Sequence, residues 1–500
     1  MKNKRVLVFL SASLLIIGFT FLVSSSKGSK QNYSPRKSST IELTRGIQGA
    51  LEYLSKIRGN ALTGEINTED VLFARTLAEK YAKFKVGNPL GLTWEEMGPD
   101  NVGGRTRAIL IDKRDATSNT LYAGGVSGGL WKSTNAGSTW SKVTLYNQNG
   151  SVDNTNLAIS CITQAPDGTI FVGTGEGLAM FSGHNQNTGQ PGGGIYRCTS
   201  GDDFRLIPST IPNVGSTSGW AEVNRLAVNP VSGIVYAAVG NALKFSTDNG
   251  TTWKNAREQI TSTNTIEIQS KGFDVKTAPD GTVVAVAGNK IYVSNDSIFL
   301  KKNITGLSVT LNSYNDRIEV AVAPSNSNYI YAVVSKGGAL YNIYRSDDKG
   351  DNWTIIAPGG STSFNLFGDN NQGWYDNVVA VFPNNPKKII VAGINCWKGE
   401  EFVPGAYYDL VQITSPNETV SYNDPTPNPN YAHVDHHTCV FHPTNPNIFY
   451  LGNDGGINRT TDGGLNFVTL NRFYSITQFY GLGIGADGSV LGGTQDNSNP

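Results

Sequence analysis

The stretch "KFSTDNGTTW" at 244–253 is too polar for a core strand and too regular for an ordinary loop. Nearly the same string returns as "KSTNAGSTW" at 132–140, "RSDDKGDNW" at 345–353 and "RTTDGGLNF" at 459–467. Each copy follows a short apolar strand. A Ser or Thr, with Asp or Asn two positions on, can hydrogen-bond backbone N–H groups and so close a tight turn. The glycine two positions further permits a positive φ. The aromatic residue at the end can then pack between sheets. The residues predicted to build these turns are Ser133, Ser246, Asp248, Gly250, Trp253, Ser346, Asp348, Gly350, Trp353 and Asp462.

Around each copy the same order of strands recurs. An apolar strand ends near proline, as in "VNRLAVNP" (223–230), "IEVAVAP" (318–324) and "VVAVFP" (378–383). A second follows, as in "VYAAVG" (235–240), "IIVAG" (389–393) and "FYLGN" (449–453); an eighth of this kind is "SVLGG" (489–493). The third strand leads into the polar turn, and the fourth begins at its aromatic residue. Four strands repeating every 40–60 residues or so predict the blades of a β-propeller. The expected fold is all-β, with at least seven blades and an incomplete eighth. The segment "LTWEEMGP" (92–99) is expected to close the ring as an outer strand.

The amino-terminal part differs. Lys2, Lys4 and Arg5 precede an apolar run from Val6 to Val23, which reads as an export signal or an uncleaved anchor over 1–26. A flexible leader is expected over 27–40. Helical spacing over 41–88 predicts a hairpin of two helices, the second capped by Thr68. The propeller then occupies 89–500 and ends in mid-blade. Lys plus Arg and Asp plus Glu number 40 each, so bulk charge points to neither nucleic acid nor an anionic membrane. A membrane partner enters only through the anchor. Of the four cysteines, Cys396 and Cys439 form the favoured disulfide pair for an exported chain; four buried thiols are the other reading.

The polar motif resembles the Asp-box, or BNR, repeat of sialidases, sortilin-like proteins and xyloglucanase-type propellers. "STDNGTTW" at 246–253 carries it in full. The strings "WEEMGPDNVGGRTRAILID", "YAGGVSGGLWKS", "GTGEG" and "HVDHHTCVFHP" with "NDGG" are similar to those of exported Bacteroidetes propeller proteins with a sortilin-like amino-terminal half. Many of those carry a type IX secretion sorting domain. The resemblance implies a fold shared by binders and enzymes alike, so activity must be argued from the site.

In such a ring, the starts of the first strands and the loops between second and third strands share one face, opposite the polar turns. The first-strand starts there are Arg105, Arg107, Ser160, Glu222, Asn224, Lys271, Asp316, Arg317, Trp374, Tyr375, Asp376, Asn377, His433, Asp435, His436 and His437. The loop 394–409 is assigned to the same face and adds Trp397, Phe402, Tyr407 and Tyr408. Exposed rings beside carboxylates suit sugars or peptides. The binding rim is therefore predicted at Arg105, Arg107, Asp376, Trp397, Tyr407 and His437. Strand alternation in "HVDHH" would place His433, Asp435 and His437 on one side, where they could hold a divalent metal. No other cofactor is indicated.

Two functions follow. One is a binding module for a peptide, glycan or partner protein. The alternative is a glycoside hydrolase, which needs a carboxyl pair across the scissile bond. The family resemblance places Asp454 of "NDGG" at a catalytic aspartate position of xyloglucanase-type propellers. Ser127 stands where a second acid would sit, leaving Glu176 or Asp435 as substitutes.

Overall fold

The computed structural model describes residues 59–64, 67–82, 96–178, 189–215, 219–301, 316–360, 364–369, 371–421 and 424–497. The signal or anchor, the leader and the first predicted helix lie outside them. The chain forms two compact units, 1–64 and 65–500, and the second holds everything below. Its helix Thr68–Ala82 is the second of the expected hairpin. The cap is Asn67 rather than Thr68: its Oδ1 accepts the Glu69 N–H at 2.9 Å.

Seven sheets of four strands or more follow one another, antiparallel except where Leu145–Tyr146 joins Phe204–Leu206 and Arg257–Gln259 joins Ile298–Lys301 in parallel. Their first strands are Thr106–Ile111, Ile159–Gln164, Val223–Val228, Gly272–Thr277, Arg317–Val322, Val378–Val381 and His436–Phe441. Each second strand is buried along almost its whole length, because it is covered by a blade on either side. That is why these strands read as unbroken Val, Ile and Ala runs rather than alternating ones. The inner strands approach closely. A Cβ on Gly173 would lie 2.5 Å from Cys161 Sγ and 2.7 Å from Val223 Cγ1, so blades two and three meet only over glycine.

Blade seven closes directly on blade one. Ile109, Ile111, Trp131 and Trp140 share one apolar cluster with Tyr450, Ile457, Leu470 and Tyr474. Trp140 donates its backbone N–H to the Arg472 carbonyl (3.1 Å) and its indole N–H to that of Leu470 (2.8 Å). The propeller is thus seven-bladed. The expected eighth blade is a two-stranded hairpin, Phe479–Ile484 with Val490–Thr494, paired to no other sheet among the described residues. Blade one already occupies the place beside blade seven. Residues 96–99 of the expected closing segment form no strand, and blade seven takes its outer strand Val468–Thr469 from its own sequence.

The polar turns share one geometry. In blade five, Ser346 Oγ donates to Asp348 Oδ1 (2.7 Å) and accepts the Gly350 N–H (2.8 Å). Ser246 does the same with Asp248 and Gly250, Ser133 with Asn135 and Gly137, and Thr460 with Asp462 and Gly464. Gly350 has φ +88°, where a side chain would be strained. Strand register fixes their face: Ser133 pairs with Leu121, Ser246 with Val235, Ser346 with Ile330 and Thr460 with Phe449, each the first residue of a second strand. Trp140, Trp353 and Phe467 are buried behind these turns, whereas Trp253 is half-buried against Trp220 at 5.2 Å. Cys161, Cys198, Cys396 and Cys439 are free thiols, so the favoured disulfide is not formed.

Candidate functional site

At the face opposite those turns, the first strands deliver charge into the central channel. Arg105 stands at the centre of this cluster. Its guanidinium lies 2.5 Å from Glu176 Oε1 and 3.5 Å from Asp454 Oδ1. Tyr375 donates its hydroxyl to Asp454 (2.7 Å to Oδ2), and both Arg105 and Arg107 lie over the Tyr375 ring, at 5.1 and 5.2 Å. Burial first, and then Arg107, Arg105 and Arg317, hold the His437 imidazole well below its ordinary range. The neutral ring donates Nε2–H to Asp454 Oδ1 at 2.6 Å. Blades one, two, six and seven thereby join in one buried network.

A second tier lies deeper. Glu319 takes Arg225 at 2.6 Å, Arg317 at 2.7 Å and Lys276 at 3.2 Å, while Asp274 takes Arg225 and Lys276 at 3.1 and 2.8 Å. Burial alone would push the Glu319 carboxyl up; Lys276, Arg225 and Arg317 together hold it well below the usual carboxylate range. Between Arg107, Glu176, Asn224, Arg317 and His437 remains a cavity of ≈ 10 Å³, which is about one water. At this level side chains fill the channel. Arg225, Asp274, Lys276 and Glu319 were missed as channel residues in the sequence. Their signal was a charge inside an otherwise apolar first strand, as in "VNRLAV", "GFDVKT" and "RIEVAV".

Asp376 is fully buried. Burial, with Asp435 next, raises its carboxyl well above the ordinary value. Burial and then Asp454 push Asp435 up to about 7. The expected metal set does not assemble. The strand begins only at His436, and Asp435 has φ +63°, so alternation fails across 433–437. His433 is engaged with the carbonyls of Val434 and Asp496, Asp435 with Gln372, and His437 with Asp454. Among the described residues no three His, Cys, Asp or Glu side chains form a metal-holding group.

Trp397 and Tyr407 do not lie on this rim. Cys396–Glu400 is the third strand of blade six, with Glu400 opposite Lys388, and 401–408 is the turn to the fourth strand Asp409–Gln412. That turn lies on the polar-turn face, in the place of the motif blade six lacks. Trp397 packs edge-on against Phe364 at 5.0 Å, Tyr407 is exposed, and Tyr408 is buried against Tyr331.

No family model and no curated protein matches the chain. Solved structures match its fold. An ancestral GH74 enzyme superposes with a TM-score of 0.55 at 15% identity, covering 82% of this chain and 54% of that one. The GH74 enzyme of Niastella koreensis gives 0.51 at 17%, covering 80% and 59%. The chain spans little more than half the length of these enzymes. At such identity the likeness is one of fold, a seven-bladed propeller. No described helix is long and apolar enough to cross a membrane.

Proposed function

We propose that the chain is an exported propeller module that captures a peptide, glycan or partner protein at the channel mouth, on the face opposite the serine–aspartate turns. One observation carries this reading: Arg105 is hydrogen-bonded to Glu176 at 2.5 Å and ion-paired, more loosely, with Asp454 at 3.5 Å. A guanidinium lying against both carboxylates engages each of them in an ion pair, so neither stands free at the channel mouth. A ligand carrying its own polar groups would exchange with these pairs, and Tyr375 would supply a ring beneath it. The amino-terminal apolar run supports export. The experiment is to probe glycan and peptide arrays with the wild-type chain and with Arg105→Gln. Binding by both alike would remove the channel mouth from the reading.

A glycoside hydrolase remains the second reading, and Asp435 is the observation that favours it. A carboxyl pushed up to about 7 next to Asp454 is the kind of pair in which one group holds a proton at neutral pH. A hydrolysis assay on plant and host polysaccharides, run beside the arrays, separates the two.

A further inference from the structure

On the side of blades six and seven the channel mouth holds more acid than base. Both carboxylate oxygens of Asp376 are buried and have no hydrogen-bond partner among the described residues. Its strongest charged neighbour is Asp435, followed by Asp454. The nearby base, Arg317, is already engaged. Its Nη1 donates to the carbonyls of Trp374 and Tyr375, and its Nη2 to Glu319 and to the Asn377 carbonyl. An ionised carboxylate in such a place is costly unless a cation joins it.

Hydrogen bonds tie the surrounding pieces together. The Gln372 carbonyl accepts the Asp376 N–H at 3.1 Å, and the Gln372 amide donates to Asp435 Oδ1 at 2.9 Å. Asp435 donates its own N–H to the Ile394 carbonyl at 3.2 Å. Gln372 therefore ties the loop before blade six to the start of blade seven, with the buried Asp376 carboxylate on one side of it and the Asp435 carboxylate on the other.

We propose that a calcium-class divalent cation binds between Asp376 and Asp435, its shell completed by amide and backbone carbonyl oxygens. Oxygen-only donors with a mixture of carboxylates and carbonyls suit a hard cation with flexible coordination. They do not suit zinc, which takes imidazole and thiolate in a tetrahedral set. The site differs from the His433, Asp435 and His437 set expected from sequence, and it stands whatever ligand the mouth captures.

The test uses the full chain, stripped with EDTA and titrated with Tb³⁺ as the calcium probe. Trp374 and Tyr375, next to Asp376 in sequence, serve as sensitisers. The expected result is saturable Tb³⁺ emission that Ca²⁺ displaces, with affinity lower by about tenfold or more in Asp376→Asn. Should Asp376→Asn fail to fold, Asp435→Asn reads the same loss. Absence of saturable emission from the wild-type chain overturns the proposal. So does equal emission from a folded variant, which would make Asp376 a protonated buried acid.

Discussion

Ser346→Ala tests the turn geometry. Ser346 is fully buried, and its hydroxyl serves three bonds: it donates to Asp348 Oδ1 and accepts the N–H groups of Gly350 (2.8 Å) and Asp348 (3.3 Å). The Gly350 bond is buried, so alanine leaves that N–H without a partner. The unpaired group costs about 1–3 kcal/mol, and the lost bond to Asp348 adds about 1 kcal/mol. A loss of about 2–4 kcal/mol follows for the ring. With an unfolding entropy near 2.1 cal/mol/K per residue over roughly 400 residues, this lowers Tm by about 2–5 °C. Calorimetry and a urea midpoint on the same samples should agree. Ser346→Thr should restore most of the loss, because Thr460 fills the same role in blade seven. A Ser346→Ala chain melting with the wild type would refute the reasoning, as would a Thr variant no better than Ala.

Trp353→Ala should cost about 3–5 kcal/mol, as expected for emptying a large buried site, and Trp253→Ala less, because Trp253 is only half-buried; equal losses in denaturant titrations would contradict the difference in packing. Burial, then His437 and His433, lower the His436 imidazole to about 3. The unfolded chain therefore binds a proton that the folded chain refuses, and stability falls as pH drops from about 6.5 toward 3. At pH 4 the penalty is on the order of 3 kcal/mol, and His436→Gln should flatten that part of the stability–pH curve, measured against the wild type in urea. Tyr407→Ala should leave capture at the channel mouth unchanged, whereas Arg105→Gln should weaken it; the reverse order would move the site to the polar-turn face.

Blade order, strand register and the face of the polar turns were legible because the motif fixes where each third strand ends. The blade count was not. The hairpin Phe479–Ile484 with Val490–Thr494 carries the same first register shift as blades one, two, three, four and seven, so its sequence reads like the inner half of a blade. Ring closure depends on how the blades pack, which local patterning does not encode. The strand "CWKGE" reads as loop in the sequence because Gly399 and its charges interrupt the apolar run, which assigns Tyr407 to the face opposite the one it occupies. "HVDHH" misled for a backbone reason: a left-handed Asp435 breaks the period-two rule at the residue where it was applied. Arg105, Arg107, Glu176, Asp454 and His437 were legible as candidates from their place at strand starts and adjoining loops. Their saturation by one another depends on distances across four blades and required the structure.

The most direct test of the account follows a captured ligand over time with the wild-type chain and with Asp454→Asn, scoring both retention and chain length of the ligand. Asp454 is the group on which Arg105, Tyr375 and His437 converge. A binding module predicts that the wild type retains an uncut ligand and that Asp454→Asn, folded and equally stable, releases it at least about tenfold more readily. Shortened products from the wild type, absent with an Asp454→Asn chain that still binds, would contradict the account and establish hydrolysis.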